Sequence, residues 1–395
     1  MINPVITHQT IAAVDDWEQL RQAHHLIRQA RISEAMQGYR YLHERRLERY
    51  FAHGTEPWVL IDEPQYPSMT WACIYLCEFY IMQRGRWLEW ADLAGDVLQH
   101  ADFGSLPLQA RSRLVSTKGW ADVHLTGSDI QRNAELQVRM LAELESQERL
   151  VFEQMLHHRL LGYLYQQLRQ PDKAFFHLDC ASALVDAKTE PFYSLRVKEI
   201  RATTLYYFKD FDSNYNTQAI DIYLKILEIA EALDEPLEMS RQAYNLGWAY
   251  AEQPNFEKAS LYFRRGLHTA RKSNFDYERA LNLYGEGFLC LSERYFDESI
   301  ELLQEASAVF DELEAPLMTA MCLQLEAAVL QRSGKIDVAV DCALRALASQ
   351  RMVDNPIQLY HTLRRIVKLC TKRKDWATCG RYFPEYFCLK IRLKK

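Results

Sequence analysis

Helix breakers are scarce in this chain. It holds 14 Gly and 12 Pro in 395 residues, and scarcity on that scale leaves long regular elements joined by short turns. The alternating Val, Ile and Thr pattern of strands is almost missing, which sets a β-sheet aside. No stretch approaches 18 uninterrupted apolar residues, so no membrane-spanning helix is expected. Met1–Thr10 has neither a basic segment nor an apolar run. A signal peptide is therefore not expected, and a cytoplasmic location is the default expectation.

The usual marks of chemistry are missing too. The nine Cys are scattered without a CxxC; Cys73 and Cys77 share a helix face, and no pair has His at zinc spacing. Such thiols pack as small apolar groups in a reducing compartment. His24-His25 and His157-His158 are adjacent pairs, and neighbours on a helix point to different faces, so neither pair suits one metal. No phosphate-binding G-x-x-x-x-G-K-[ST], no G-x-S-x-G, no H-R-D and no G-x-G-x-x-G occurs. The many carboxylates read as solvated helix faces, with no pair singled out for acid–base work. The expectation is no catalytic residue, no metal and no cofactor.

What the chain does have is helix formers and a repeat. Leu, Ala, Glu, Arg and Gln fill it. Asn245-Leu246-Gly247-Trp248-Ala249-Tyr250 leads into Asn255-Phe256-Glu257-Lys258-Ala259. Forty residues on, Gly287-Phe288 leads into Tyr295-Phe296-Asp297-Glu298-Ser299, and forty further, Ala327-Ala328 leads into Lys335-Ile336-Asp337-Val338-Ala339. A fixed period of this size marks a stacked repeat architecture. With the small residue as ruler, Ala35, Ala91, Ala134, Ala174, Ala219, Ala259, Ser299, Ala339 and Cys379 are equivalent, at intervals of 56, 43, 40, 45, 40, 40, 40 and 40. A bulky residue sits three positions earlier in Ile32, Phe256, Phe296, Ile336 and Trp376. A small residue lets the next helix approach, and the bulky one fills the gap beside it.

The ruler places helical hairpins at 15–50, 69–101, 107–146, 148–187, 192–233, 238–273, 277–313, 316–351 and 356–393, after a short segment 1–14. Residues 15–395 read as one array, clearest over 150–393. Glu190-Pro191, Glu235-Pro236, Ala315-Pro316 and Asn355-Pro356 punctuate the joints, because helices end before such prolines. Two places break the pattern: the Pro-rich stretch 52–68 and extra residues near 211–216.

Charge is uneven. Residues 361–395 hold 11 Lys/Arg against Asp375 and Glu385, a net +9, which leaves −15 on the rest of a chain whose total is −6. Such an end attracts an acidic partner or phospholipid; the plainer reading is a polar cap that keeps an array end soluble. Only this hairpin interleaves basic and aromatic residues, as in Arg373-Lys374-Asp375-Trp376, so nucleic-acid binding is not expected.

Leu246-Gly247, Tyr250, Ala259 and Phe263 resemble the tetratricopeptide repeat (TPR) pattern, and Leu161-Gly162, Tyr165 and Ala174 resemble it again. Gly287, Ser299, Leu303 and Ala306 match loosely, as do Ala327, Ala339 and Ala346. The 40-residue period is similar to the longer TPRs of signalling scaffolds, MalT-type regulators and Rap/PlcR-type peptide receptors, without their DNA-binding or ATPase domains. The resemblance implies an all-α, right-handed α-solenoid of about eight or nine antiparallel hairpins, with first helices lining a concave groove. In that register Arg159, Tyr163, Gln166, Arg241, Tyr244, Asn245, Trp248, Tyr284, Phe288 and Gln324 face the groove, and Asn245 matches an asparagine that TPR grooves use to hold a ligand backbone. The implied function is a non-enzymatic scaffold or adaptor holding a peptide or helix of a protein partner. The alternative is a ligand- or peptide-responsive regulator of a separately encoded effector.

Overall fold

The computed structural model describes Gln22 and residues 108–392, apart from 126–128, 147–149, 189–190, 213 and 354. The segment 1–14, the hairpins expected at 15–50 and 69–101, the stretch 52–68, His24-His25 and Cys73/Cys77 lie outside the described residues. Among the described residues there are fourteen α-helices and no strand: α1 (Leu108–Leu125), α2 (Ile130–Glu145), α3 (Val151–Gln167), α4 (Pro171–Leu184), α5 (Pro191–Tyr207), α6 (Tyr215–Ala232), α7 (Pro236–Glu252), α8 (Phe256–Ser273), α9 (Asp276–Glu293), α10 (Phe296–Glu312), α11 (Pro316–Arg332), α12 (Ile336–Arg351), α13 (Pro356–Arg373) and α14 (Trp376–Arg392). They form seven hairpins whose ends fall close to those expected from the ruler. The extra residues near 211–216 lie in the α5–α6 turn and the first turn of α6.

The chain divides into two compact units. One ends at Glu238; the other runs from Met239, in the first turn of α7, to Lys395 with segment 122–129 grouped with it.

Prolines open α4, α5, α7, α11 and α13, at the one place where a missing N–H costs nothing. Helix ends turn through left-handed residues that are mostly not glycine: Asn274, Arg294 and Lys374 take φ of 56°, 71° and 61°. The turns close because Phe275, Tyr295 and Asp375 donate their amides back to Ala270, Cys290 and Cys370, which satisfies carbonyls a helix end leaves open.

The ruler residues are the contact points of the core. Ala174, Ala219, Ala259, Ser299 and Ala339 are all 0% exposed. In three of these hairpins a first-helix glycine faces the side chain four places beyond the ruler residue: a Cβ on Gly162 would lie 2.6 Å from Leu178, one on Gly247 2.5 Å from Phe263, and one on Gly287 3.0 Å from Leu303. The leucine–glycine pairs thus mark where two helix backbones come close. Ser299 replaces alanine by donating its hydroxyl to the Gly287 carbonyl at 2.6 Å.

Candidate partner-binding face

Within each unit, polar contacts join several first helices to the first helix one repeat along. In the first unit, Arg113 and Gln109 of α1 reach Glu153 of α3 at 3.0 and 2.8 Å. Ser112 meets His157 at 2.9 Å, and Thr204 of α5 donates to Gln166 of α3 at 2.9 Å. In the second unit, Arg241 of α7 reaches Glu278 of α9 at 2.9 Å, Asn282 meets Ser240 at 3.2 Å, and Gln324 of α11 donates to Thr362 of α13 at 2.5 Å. The expected groove residues Gln166, Arg241 and Gln324 are therefore rungs of these contacts. Gln166 is buried; Arg241 and Gln324 are half-buried.

Between the rungs of the second unit lie aromatic rings. Trp248 of α7 packs 4.9 Å from Phe288 and 6.0 Å from Tyr284, both on α9, and 6.3 Å from Tyr244 on its own helix. Beneath them, Phe263 of α8 lies 5.7 Å from Trp248 and 6.0 Å from Tyr244. Tyr244, Trp248, Tyr284 and Phe288 are half-buried, while Phe263 is wholly enclosed. Asn245, also half-buried, stands on α7 between Arg241 and Trp248.

Burial sets the chemistry of this face. It pushes the Tyr244 hydroxyl up to about 12. It also pushes Tyr284 up, with Tyr244 and then Cys322 adding to the shift. Cys322 of α11 is raised by burial and then by Glu326. These groups stay protonated at neutral pH, which leaves the thiol inert. The buried Trp248 indole N–H meets no acceptor at hydrogen-bonding geometry, and the Tyr244 hydroxyl faces it.

The first unit holds a second cluster. The Arg159 guanidinium of α3 stands 5.2 Å from the Trp120 ring of α1 and 5.9 Å from Tyr193 of α5, and Tyr163 lies 5.3 Å from Trp120. Trp120, Tyr193, Phe263 and Cys322 were not among the expected groove residues. Periodicity offered a signal for one of them, since Trp120 precedes Tyr163 by about one repeat.

The adjacent histidines diverge as helix geometry requires. His157 meets Ser112 and Gln137, whereas His158 meets His177 of α4 at 2.9 Å. Among the described residues no group of three or more His, Cys, Asp or Glu is placed to hold a metal ion, and no helix is long and apolar enough to cross a membrane.

Solved structures share this architecture. A Rap protein complexed with competence and sporulation factor aligns over 96% of this chain and 99% of its own, at 12% identity and a TM-score of 0.63. The fold is a tetratricopeptide-like helical repeat. The apo form of the quorum sensor NprR from B. thuringiensis aligns over 96% and 99% at 10% identity and a TM-score of 0.56. A STAND protein with a tetratricopeptide repeat sensor, from Pyrococcus horikoshii, aligns over 90% of this chain and 52% of its own at 14% identity and a TM-score of 0.52. No family model and no curated protein sequence matches the chain.

Proposed function

We propose that the chain is a non-enzymatic binding protein that holds a peptide segment or helix of a protein partner on the first-helix face of its second unit. The observation that carries this reading is the convergence of Tyr244, Trp248, Tyr284 and Phe288, four half-buried rings from two successive first helices. Clustered aromatic anchors of this kind dominate protein interfaces. The half-buried Asn245 amide offers the backbone of an extended chain both a donor and an acceptor. Arg241, already seated on Glu278, keeps a positive edge beside the rings for a ligand carboxylate.

A second reading is a ligand-responsive regulator of a separately encoded effector. Two proteins of similar fold favour it, a Rap protein complexed with competence and sporulation factor and a quorum sensor. Display selection of peptides against the intact protein, followed by calorimetric titration, tests both readings. Trp248→Ala and Phe288→Ala weaken the selected peptide at least tenfold, while Phe176→Ser on the exposed side of α4 leaves it unchanged. If neither groove variant weakens binding in a folded protein, the assignment of the face is wrong. A radius of gyration that changes on peptide binding identifies the regulator, and one that stays fixed identifies the scaffold.

A further inference from the structure

Helix α14 departs from a rule that the other second helices of its unit keep. Four places beyond the small ruler residue, α8, α10 and α12 carry Phe263, Leu303 and Ala343, each 0% exposed. The same position in α14 is Phe383, which is 46% exposed. Eight places beyond the ruler stand Leu267, Ser307 and Leu347, all buried, and in α14 Phe387 at 48% exposed. Trp376 and Ile391 continue the line at 65% and 49%. Spacings of seven, four and four residues put these four on one helix face. The Phe383 and Phe387 rings stack 5.9 Å apart, and the other side of α14 packs inward through Tyr382, Tyr386 and Leu389. α14 thus presents an apolar stripe, with Phe383 and Phe387 at the positions that a following first helix covers in α8, α10 and α12.

The geometry points to an amphipathic helix of another polypeptide as the occupant, apolar along one face and acidic along both edges. Shape gives the first argument, because a helix is what lies on the equivalent stripes inside the unit. Leu303 clusters with Val329 of α11, and Ala343 with Leu363 and Ile366 of α13. Gly380 faces open space, since a Cβ there would have no atom within 4 Å, so the backbone of an incoming helix can approach α14 closely at this point. Charge gives the second argument. Residues 361–395 carry a net +9, and both of their acids are engaged, Asp375 with Arg373 and Glu385 with Arg351. Stripe-to-stripe pairing of two copies sets this charge against itself, whereas acidic edges meet Arg381, Lys390 and Arg392. The covering helices inside the unit set a precedent: Glu286 of α9 accepts from Arg264 and Ser260 of α8, and Glu326 of α11 accepts from Gln304 of α10. In α14 the positions of Ser260 and Arg264 are Gly380 and Pro384, so the middle of the partner's face is apolar and its acids lie at the edges.

The test uses the full chain and two synthetic stapled helices, each with a Leu/Ala stripe, one flanked by Glu and one by Lys. Fluorescence anisotropy at ~50 mM salt shows the Glu-flanked helix binding. That binding weakens at least tenfold in Phe383→Ser/Phe387→Ser and falls as salt rises. Gly380→Lys, which sets a long side chain into the open space that the incoming helix needs, gives the same loss and guards against an unfolded double variant. Equal binding of the Lys-flanked helix overturns the proposal. So does binding of anionic phosphatidylglycerol vesicles, but not the Glu helix, through Phe383 and Phe387. A dimer by light scattering that these substitutions dissolve, without helix binding, overturns it in favour of a second copy.

Discussion

Phe263 lies so close to Gly285 that a Cβ on the glycine would stand 2.3 Å from the ring. The ring is wholly enclosed and pressed from the other side by Gly247 of its own hairpin, so it has nowhere to go. Overpacking such a site costs about 1–3 kcal/mol, against about 1 kcal/mol gained when alanine replaces glycine in a helix. Gly285→Ala is therefore expected to destabilise the second unit, by up to about 2 kcal/mol in urea melts. Gly380→Ala, in open space on α14, gains up to about 1 kcal/mol. Equal effects at the two sites would mean that the ring is not trapped.

The contrast between those glycines marks how far the sequence could be read. The hairpin ends, the ruler and the glycine facing Phe263 within its hairpin were legible, since each follows from period and residue size. The rungs were not. Gln166 and Gln324 stand at first-helix positions with the spacing of groove residues, yet their partners Thr204 and Thr362 lie 38 residues on. A polar side chain at such a position serves a neighbour or a ligand equally well, and the pattern alone does not choose between them. The exposed stripe of α14 was hidden for a related reason: Trp376, Phe383 and Phe387 follow the same repeat as buried residues, and only what covers them differs.

Arg113 and Glu153 form a rung that is almost wholly buried. Removing one partner from such a pair costs about 3–5 kcal/mol, because a desolvated charge loses its counter-charge. Glu153→Ala is expected to lose about 3 kcal/mol or more. Asp297→Ala breaks the exposed pair with Lys335 at 3.3 Å and is expected to stay within about 1 kcal/mol of the parent. Chemical denaturation of both variants checks the difference; a Glu153→Ala protein as stable as Asp297→Ala would deny the rung its structural role.

Acid acts on the first unit through its histidines. Burial, and then the neighbouring His158, push the His157 imidazole from its ordinary 6.5 down to about 3. His177 is pushed to about 4 by burial, then by His158 and Lys173. The folded protein keeps both neutral, so below pH 6.5 the unfolded chain binds protons that the native state refuses. Stability is full above that pH and drains as pH falls toward about 3. His157 alone contributes a slope of about 1.4 kcal/mol per pH unit, and the more exposed His177 adds less. Urea melts between pH 7.5 and 4.5 read this slope, and His157→Gln removes His157's share of it. A slope unchanged in that variant would place the acid sensitivity elsewhere.

Trp248 has two roles to separate, as a packing element and as a ligand anchor. It touches Phe263, Tyr284 and Phe288, so its truncation leaves a gap as well as a missing contact. A buried Trp→Ala change costs about 3–5 kcal/mol; for this half-buried ring about 2 kcal/mol is expected. Trp248→Phe keeps a ring in place and should stay within about 1.5 kcal/mol of the parent, yet it removes the indole N–H. If that buried donor turns to a ligand carbonyl on binding, the variant binds a selected peptide roughly fivefold or more weakly while its stability stays within that range. If the face works by ring contact alone, Trp248→Phe binds like the parent and only Trp248→Ala fails. The pair of variants thus divides hydrogen bonding from stacking without relying on a protein that has lost its fold.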